Sequence, residues 1–120
     1  MQRGFKDLIV WQKGYKLSLL VYQVTKEFPK PETYGLRAQI RSCAISVPAN
    51  ISEGYERDSK KQYLYFLNIA KGSLGELETH LLLSKDLKYI TEKQWEKIEC
   101  LRREVIRLLR ELITFLRKKI

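Results

Sequence analysis

Apolar residues recur along this chain every three or four positions, the period of an α-helix. No window alternates with the period of two that a half-buried strand needs. The first helical stretch is expected from about Asp7 to Glu27, with Asp7 as N-cap and Leu8, Trp11, Tyr15, Leu19 and Tyr22 on its inner face. Phe28-Pro29-Lys30-Pro31 ends it, because proline cannot continue the hydrogen-bond ladder. The second is expected from Thr33, a capping residue, to about Glu56, with Leu36, Ile40, Cys43, Val47 and Ile51 aligned. Pro48 lies inside it and should kink it or leave a carbonyl near Ala44 without its donor. Ser59 and Gln62 form a capping box for a third helix reaching about Lys85, with Tyr63, Phe66, Ala70, Leu74, Leu77 and Leu81 inward. Gly72, Ser73 and Gly75 cost helix propensity there and would let a neighbour approach closely. Thr91 and Gln94 make a second box, opening a helix that runs nearly to the C-terminus. Four long helices and short turns predict an all-α fold: an antiparallel up-down-up-down four-helix bundle, one domain over residues 1–120.

Two patterns are not explained by a simple core. Gln39, Ser46, Asn50 and Glu53 form a polar row beside the apolar stripe of the second helix. Buried without partners, each would cost about 1–3 kcal/mol. A structural network with Ser73 and Glu76 on the third helix is the expected role, fixing register between helices or geometry between subunits. The fourth helix carries a core stripe of Leu101, Val105, Leu108, Leu112 and Phe115, and a further ridge of Ile106, Leu109, Ile113 and Ile120. Apolar residues then cover about half its circumference, more than a surface helix must bury. The ridge is either an oligomer interface, the expected reading, or part of a broad monomer core.

Charge adds a partner class. The 120 residues hold 23 Lys+Arg and 14 Asp+Glu, net +9, with a pI of about 9.6. Such a balance favours an anionic partner, nucleic acid before a membrane surface. Arg103, Arg107, Arg110 and Arg117 lie on one face of the fourth helix. Arginine suits bidentate phosphate contact; the alternative is a solvated face paired with Glu99, Glu104 and Glu111. Arg37, Arg41, Lys60 and Lys61 are candidates to extend the surface. No stretch of about 18 apolar residues is present to span a bilayer and no apolar leader precedes the first helix, so a cytoplasmic protein is expected. Cys43 and Cys100 lie far apart in helical, mostly apolar contexts and are expected as reduced core thiols rather than a disulfide.

Catalysis finds little support. Ser73, Glu76 and the sole histidine, His80, share one ridge, but consecutive turns of one helix rarely converge on one substrate atom. One His with two distant Cys does not make a zinc site. Glu53, Glu76 and Glu78 lack the Glu-x-x-His motifs of a di-iron bundle. No phosphate-binding glycine loop occurs. No cofactor, metal or enzymatic activity is expected.

Three segments carry a resemblance: FKDLIVWQKG at residues 5–14, QIRSCAISVPANISEG at 39–54 and AKGSLGELET at 70–79. They resemble the four-helix-bundle proteins encoded in intervening sequences of bacterial 23S ribosomal RNA genes, also called the S23 ribosomal protein family. The S-x-x-x-N-I-x-E-G segment is the specific part, and the last helix matches only in character. The resemblance implies a ring-like homopentamer. It also implies similarity in fold to the basic accessory variability protein of diversity-generating retroelements, which binds nucleic acid and a reverse transcriptase. The motif positions are Ser46, Asn50, Glu53, Gly54, Gly72, Ser73 and Glu76, with no catalytic role implied. The expected function is a non-enzymatic oligomer that binds nucleic acid, structured RNA before DNA. The alternative is a scaffold that partners a nucleic-acid enzyme without touching nucleic acid itself.

Overall fold

The computed structural model describes residues 4–118. Helix α1 spans Ile9–Thr25, α2 Leu36–Tyr55, α3 Lys60–Asp86 and α4 Glu92–Lys118, with 3-10 turns at Phe5–Asp7 and Lys30–Glu32. No strand occurs among the described residues. Helices α1 and α3 each pack on both α2 and α4, while the diagonal pairs stay apart. That cycle is an antiparallel up-down-up-down bundle. The 27-residue α3 and α4 are each about 40 Å long at 1.5 Å per residue, which accounts for a 46 Å body only 24 and 23 Å across.

Side-chain chemistry sets the helix ends, though not at every expected residue. The Ser59 hydroxyl accepts from the Gln62 N–H at 3.0 Å. Thr91 and Gln94 bond reciprocally, at 2.9 and 3.0 Å. Asp7 does not cap α1; it closes the first 3-10 turn, and Leu8 precedes the helix with no side-chain cap. Thr33 does not cap α2 either. The Glu32 carboxylate accepts from the Leu36 N–H at 2.9 Å instead. At the end of α3, Lys88 takes a left-handed conformation (φ 66°). Tyr89 N–H then bonds Ser84 C=O and Lys88 N–H bonds Lys85 C=O, the paired bonds of a Schellman ending. The turn this sets up brings the Tyr89 hydroxyl to Glu32, 3.1 Å away, and its ring against Phe28. Both loops at that end of the bundle are thereby joined.

Pro48 sits inside α2 and has no N–H to offer the Ala44 carbonyl. The Ser18 hydroxyl of α1 donates to that carbonyl at 2.9 Å. The defect in one helix is thus satisfied by its neighbour, which sets the register of α1 on α2. Close approach occurs at a glycine other than those expected. A Cβ on Gly54 would lie 2.9 Å from Phe66 Cβ and 3.1 Å from the Tyr63 carbonyl oxygen, whereas Gly72 and Gly75 face open space.

The core runs through all four helices and follows the expected stripe on α2; on α3 it does so from Ala70 to Leu81, while Leu67 takes the buried position expected of Phe66 and Tyr63 is only partly buried. On α1 the core departs from the expected line. Val10, Gly14, Leu17, Val21 and Val24 are inside, while Tyr15, Leu19 and Tyr22 are exposed. Both sets have helical spacing, because α1 is apolar on two faces. A similar rotation applies to α4, where Ile98, Val105, Leu109 and Ile113 form the buried line. Leu109 (0 % exposed) and Ile113 (3 %) therefore belong to the monomer core and not to an outer interface, and Phe115, expected inside, is 55 % exposed. Ile106 is half-buried against the core, and Ile120 lies outside the described residues.

Candidate nucleic-acid interface and the inter-helix polar cluster

The outward face of α4 is basic. Arg103, Arg107, Arg110 and Lys118 line a shallow, open depression of about 600 Å³, floored in part by Ile106 and Phe115. Arg107 is 2.9 Å from Glu111 and Arg103 is 3.0 Å from Glu99. Arg110 and Arg117 have no ion pair among the described residues. Neutralisation is therefore strongest in the middle of α4, and uncompensated charge collects toward its C-terminal end. There it also complements the negative end of the helix dipole.

Glu99 anchors this face. It is buried and bonds both Arg102, itself buried, and Arg103. Burial alone would raise the Glu99 pKa, but the hydrogen bonds and charges of Arg102 and Arg103 outweigh it and hold the carboxyl below its ordinary value. Glu78 of α3 reaches the same guanidinium at 3.1 Å, and Arg102 donates to the Leu74 carbonyl. A charged cluster thus joins α3 to α4. Arg102 was not singled out in the sequence, where its single-residue offset from the Arg103 row was the only signal.

The remaining basic candidates divide. Lys60 and Lys61 open α3 at the end of the bundle where α4 finishes, so they can extend the surface. Arg37 and Arg41 sit at the opposite end, on α2, which is diagonal to α4. Arg41 is further committed to α1: it donates to Thr25 Oγ1 at 2.9 Å and the Tyr22 carbonyl at 3.1 Å, and it stacks on the Tyr22 ring. It serves as a C-terminal cap for α1, and neither residue is continuous with the α4 face.

The polar row of α2 is brought partly together with α3. Ser46 Oγ and Ser73 Oγ are 2.8 Å apart, and Asn50 donates to the Ser46 hydroxyl and carbonyl. Glu53 turns instead to Arg57 at 2.6 Å, and Gln39 is exposed. Glu76 takes a different partner set. It lies beside the Cys43 thiol and 3.8 Å from His80 Nε2. That nitrogen is buried with no hydrogen-bond partner. The ligand atoms of Cys43, Glu76 and His80 all lie within 4.8 Å of one another. Glu76 and His80 share one ridge in the sequence, whereas Cys43 belongs to another helix and joins them only in the fold. Cys100 is in fact exposed and Cys43 buried, and both are free thiols.

Comparison with known proteins decides the lineage. The profile described as 23S rRNA-intervening sequence protein matches residues 6–111. The chain belongs to that family. A crystal structure of a protein of unknown function from the S23 ribosomal protein family of Bacteroides thetaiotaomicron is similar, with TM-score 0.82 and 27 % identity over 88 % of this chain and 98 % of that one. A comparison with curated proteins finds no match. Membership of the 23S rRNA-intervening sequence family agrees with the bundle described above. No helix among the described residues is long and apolar enough to cross a membrane.

Proposed function

We propose that this protein is a non-enzymatic, cytoplasmic nucleic-acid-binding bundle that engages the phosphates of structured RNA through the outer face of α4. The observation that carries the reading is the open depression where Arg103, Arg107, Arg110 and Lys118 surround Phe115, on a chain of net charge +9. Guanidinium groups contact phosphates in a bidentate fork. Recognition of this kind positions the backbone and discriminates little between sequences.

The test is a fluorescence-anisotropy titration with an RNA hairpin and a DNA duplex at several salt concentrations. Arg110 and Arg117 are the residues to change, since Arg103 and Arg107 already hold Glu99 and Glu111. Arg110→Ala with Arg117→Ala is expected to weaken RNA binding and flatten the log–log salt slope by about two, one per lost phosphate contact. An unchanged affinity and slope would remove α4 as the interface.

The second reading is a scaffold for a protein partner or a further copy of the chain, five copies being the number the family resemblance implies. It is favoured by the exposed line of Tyr15, Leu19 and Tyr22 on α1 beside Ile45 of α2. No binding to either nucleic acid at low salt would transfer the function to that surface.

A further inference from the structure

We propose that Cys43, Glu76 and His80 form a binding site for one zinc ion per chain, with three protein ligands and a fourth position open to water. The site lies between α2 and α3, away from the α4 surface.

Three observations converge. The candidate ligand atoms of the three side chains lie within 4.8 Å of one another. A tetrahedral ion with bonds of about 2.0–2.3 Å holds its ligand atoms about 3.3–3.6 Å apart, so small side-chain rotations close the triangle. Glu76 and His80 are one helical turn apart and already 3.8 Å from each other. This is the i, i+4 spacing by which a helix presents two ligands from one face. Finally, His80 Nε2 is buried with no hydrogen-bond partner. A buried ring nitrogen left unbonded is costly, and a metal bond satisfies it.

The donor set, one sulfur, one imidazole nitrogen and one carboxylate oxygen, suits zinc; calcium and magnesium require oxygen alone, and copper(I) favours sulfur. Glu76 is the most exposed of the three side chains, which gives water access to the remaining position. In the metal-free chain, burial and the neighbouring Glu76 carboxylate push the Cys43 thiol up to about 11. A dication in the triangle outweighs both influences, since a thiol bonded directly to it loses its proton. Zinc binding should therefore release a proton into the buffer.

The experiment is calorimetric titration of zinc chloride into the reduced, chelator-treated full chain, repeated in buffers of different ionisation enthalpy. Cobalt(II) serves as the optical substitute, because its charge-transfer band reports a thiolate ligand. The expected result is one equivalent bound per chain with proton release. Loss of affinity should be about 100-fold or more in Cys43→Ala and in His80→Gln, at least as large as losing an outer partner of a metal ligand. Cys100→Ser should behave as wild type. His80→Gln keeps the test decisive if Cys43→Ala misfolds, since His80 is only half-buried. Binding that survives His80→Gln, binding lost in Cys100→Ser, or a cobalt complex without the thiolate band would each overturn the site. So would the absence of zinc binding in the wild type. None of these outcomes bears on RNA binding through α4.

Discussion

Glu99 and Arg102 are both buried, and neither is tolerable there without the other. Glu99 also holds Arg103 at 3.0 Å, so one carboxylate shapes both an interior contact and the basic face. Glu99→Gln leaves the Arg102 charge dependent on Glu78 alone and should cost about 3 kcal/mol in urea unfolding near neutral pH, the low end for a broken buried pair. The pH dependence follows from the sign of the shift. The folded-state pKa of Glu99 lies below its ordinary value of 4.5, so the stability it contributes is complete above that value and is lost as pH falls through the folded one. Wild type and Glu99→Gln should therefore converge in acid; a constant gap would contradict the proposed ionisation. At this scale the sequence was a partial guide. It placed four arginines on one face of α4, but which of them are neutralised depends on carboxylates one turn away whose rotamers only the packed structure defines. Arg41 looked like surface charge and proved to be the cap of α1, because the carbonyl it serves belongs to another helix.

Elements were legible where the signal is local. The Ser59 and Thr91 caps lie within a few residues of sequence, and both hydroxyls accept from the N–H three residues on, although only Thr91 and Gln94 complete the reciprocal box. The carbonyl freed by Pro48 is equally local, but the group that satisfies it, Ser18, lies 26 residues away in sequence. Faces were harder. On α1 and α4 two apolar lines satisfy the helical period, and the choice between them is made by neighbouring helices. The end of α3 offers a clean test of local energetics. Lys88 occupies a left-handed position, φ 66°, that disfavours residues with a Cβ. Lys88→Gly removes that strain without losing the two bonds that end the helix. It should raise stability by about 0.5–1 kcal/mol, read as a higher urea midpoint at constant m-value. A destabilised variant would mean that the lysine side chain contributes more than its backbone costs.

The molecule as a whole leaves apolar surface outside its core, and this bears on assembly. The α4 ridge expected to join subunits is largely inside the monomer, since Leu109 and Ile113 are buried. The line expected inside, on α1, is outside: Tyr15 is 50 % exposed and Leu19 57 %, with Ile45 of α2 beside them at 44 %. Monomeric proteins rarely present large contiguous apolar surface to water, so the self-association we propose as the second reading falls to the α1–α2 side rather than to α4. The two substitutions then have opposite signatures. Leu19→Asp should lower the mass measured by light scattering while leaving the helical circular dichroism and the melting transition of the subunit intact. Leu109→Asp should instead unfold the chain, because an unpaired charge would enter the core. If Leu19→Asp kept the wild-type mass, the α1 face would not join subunits. The two surfaces also occupy different helices, so a dissociated Leu19→Asp chain retains every α4 arginine. Any accompanying loss of RNA affinity would then measure what repeating the basic face around an oligomer adds to binding by a single copy.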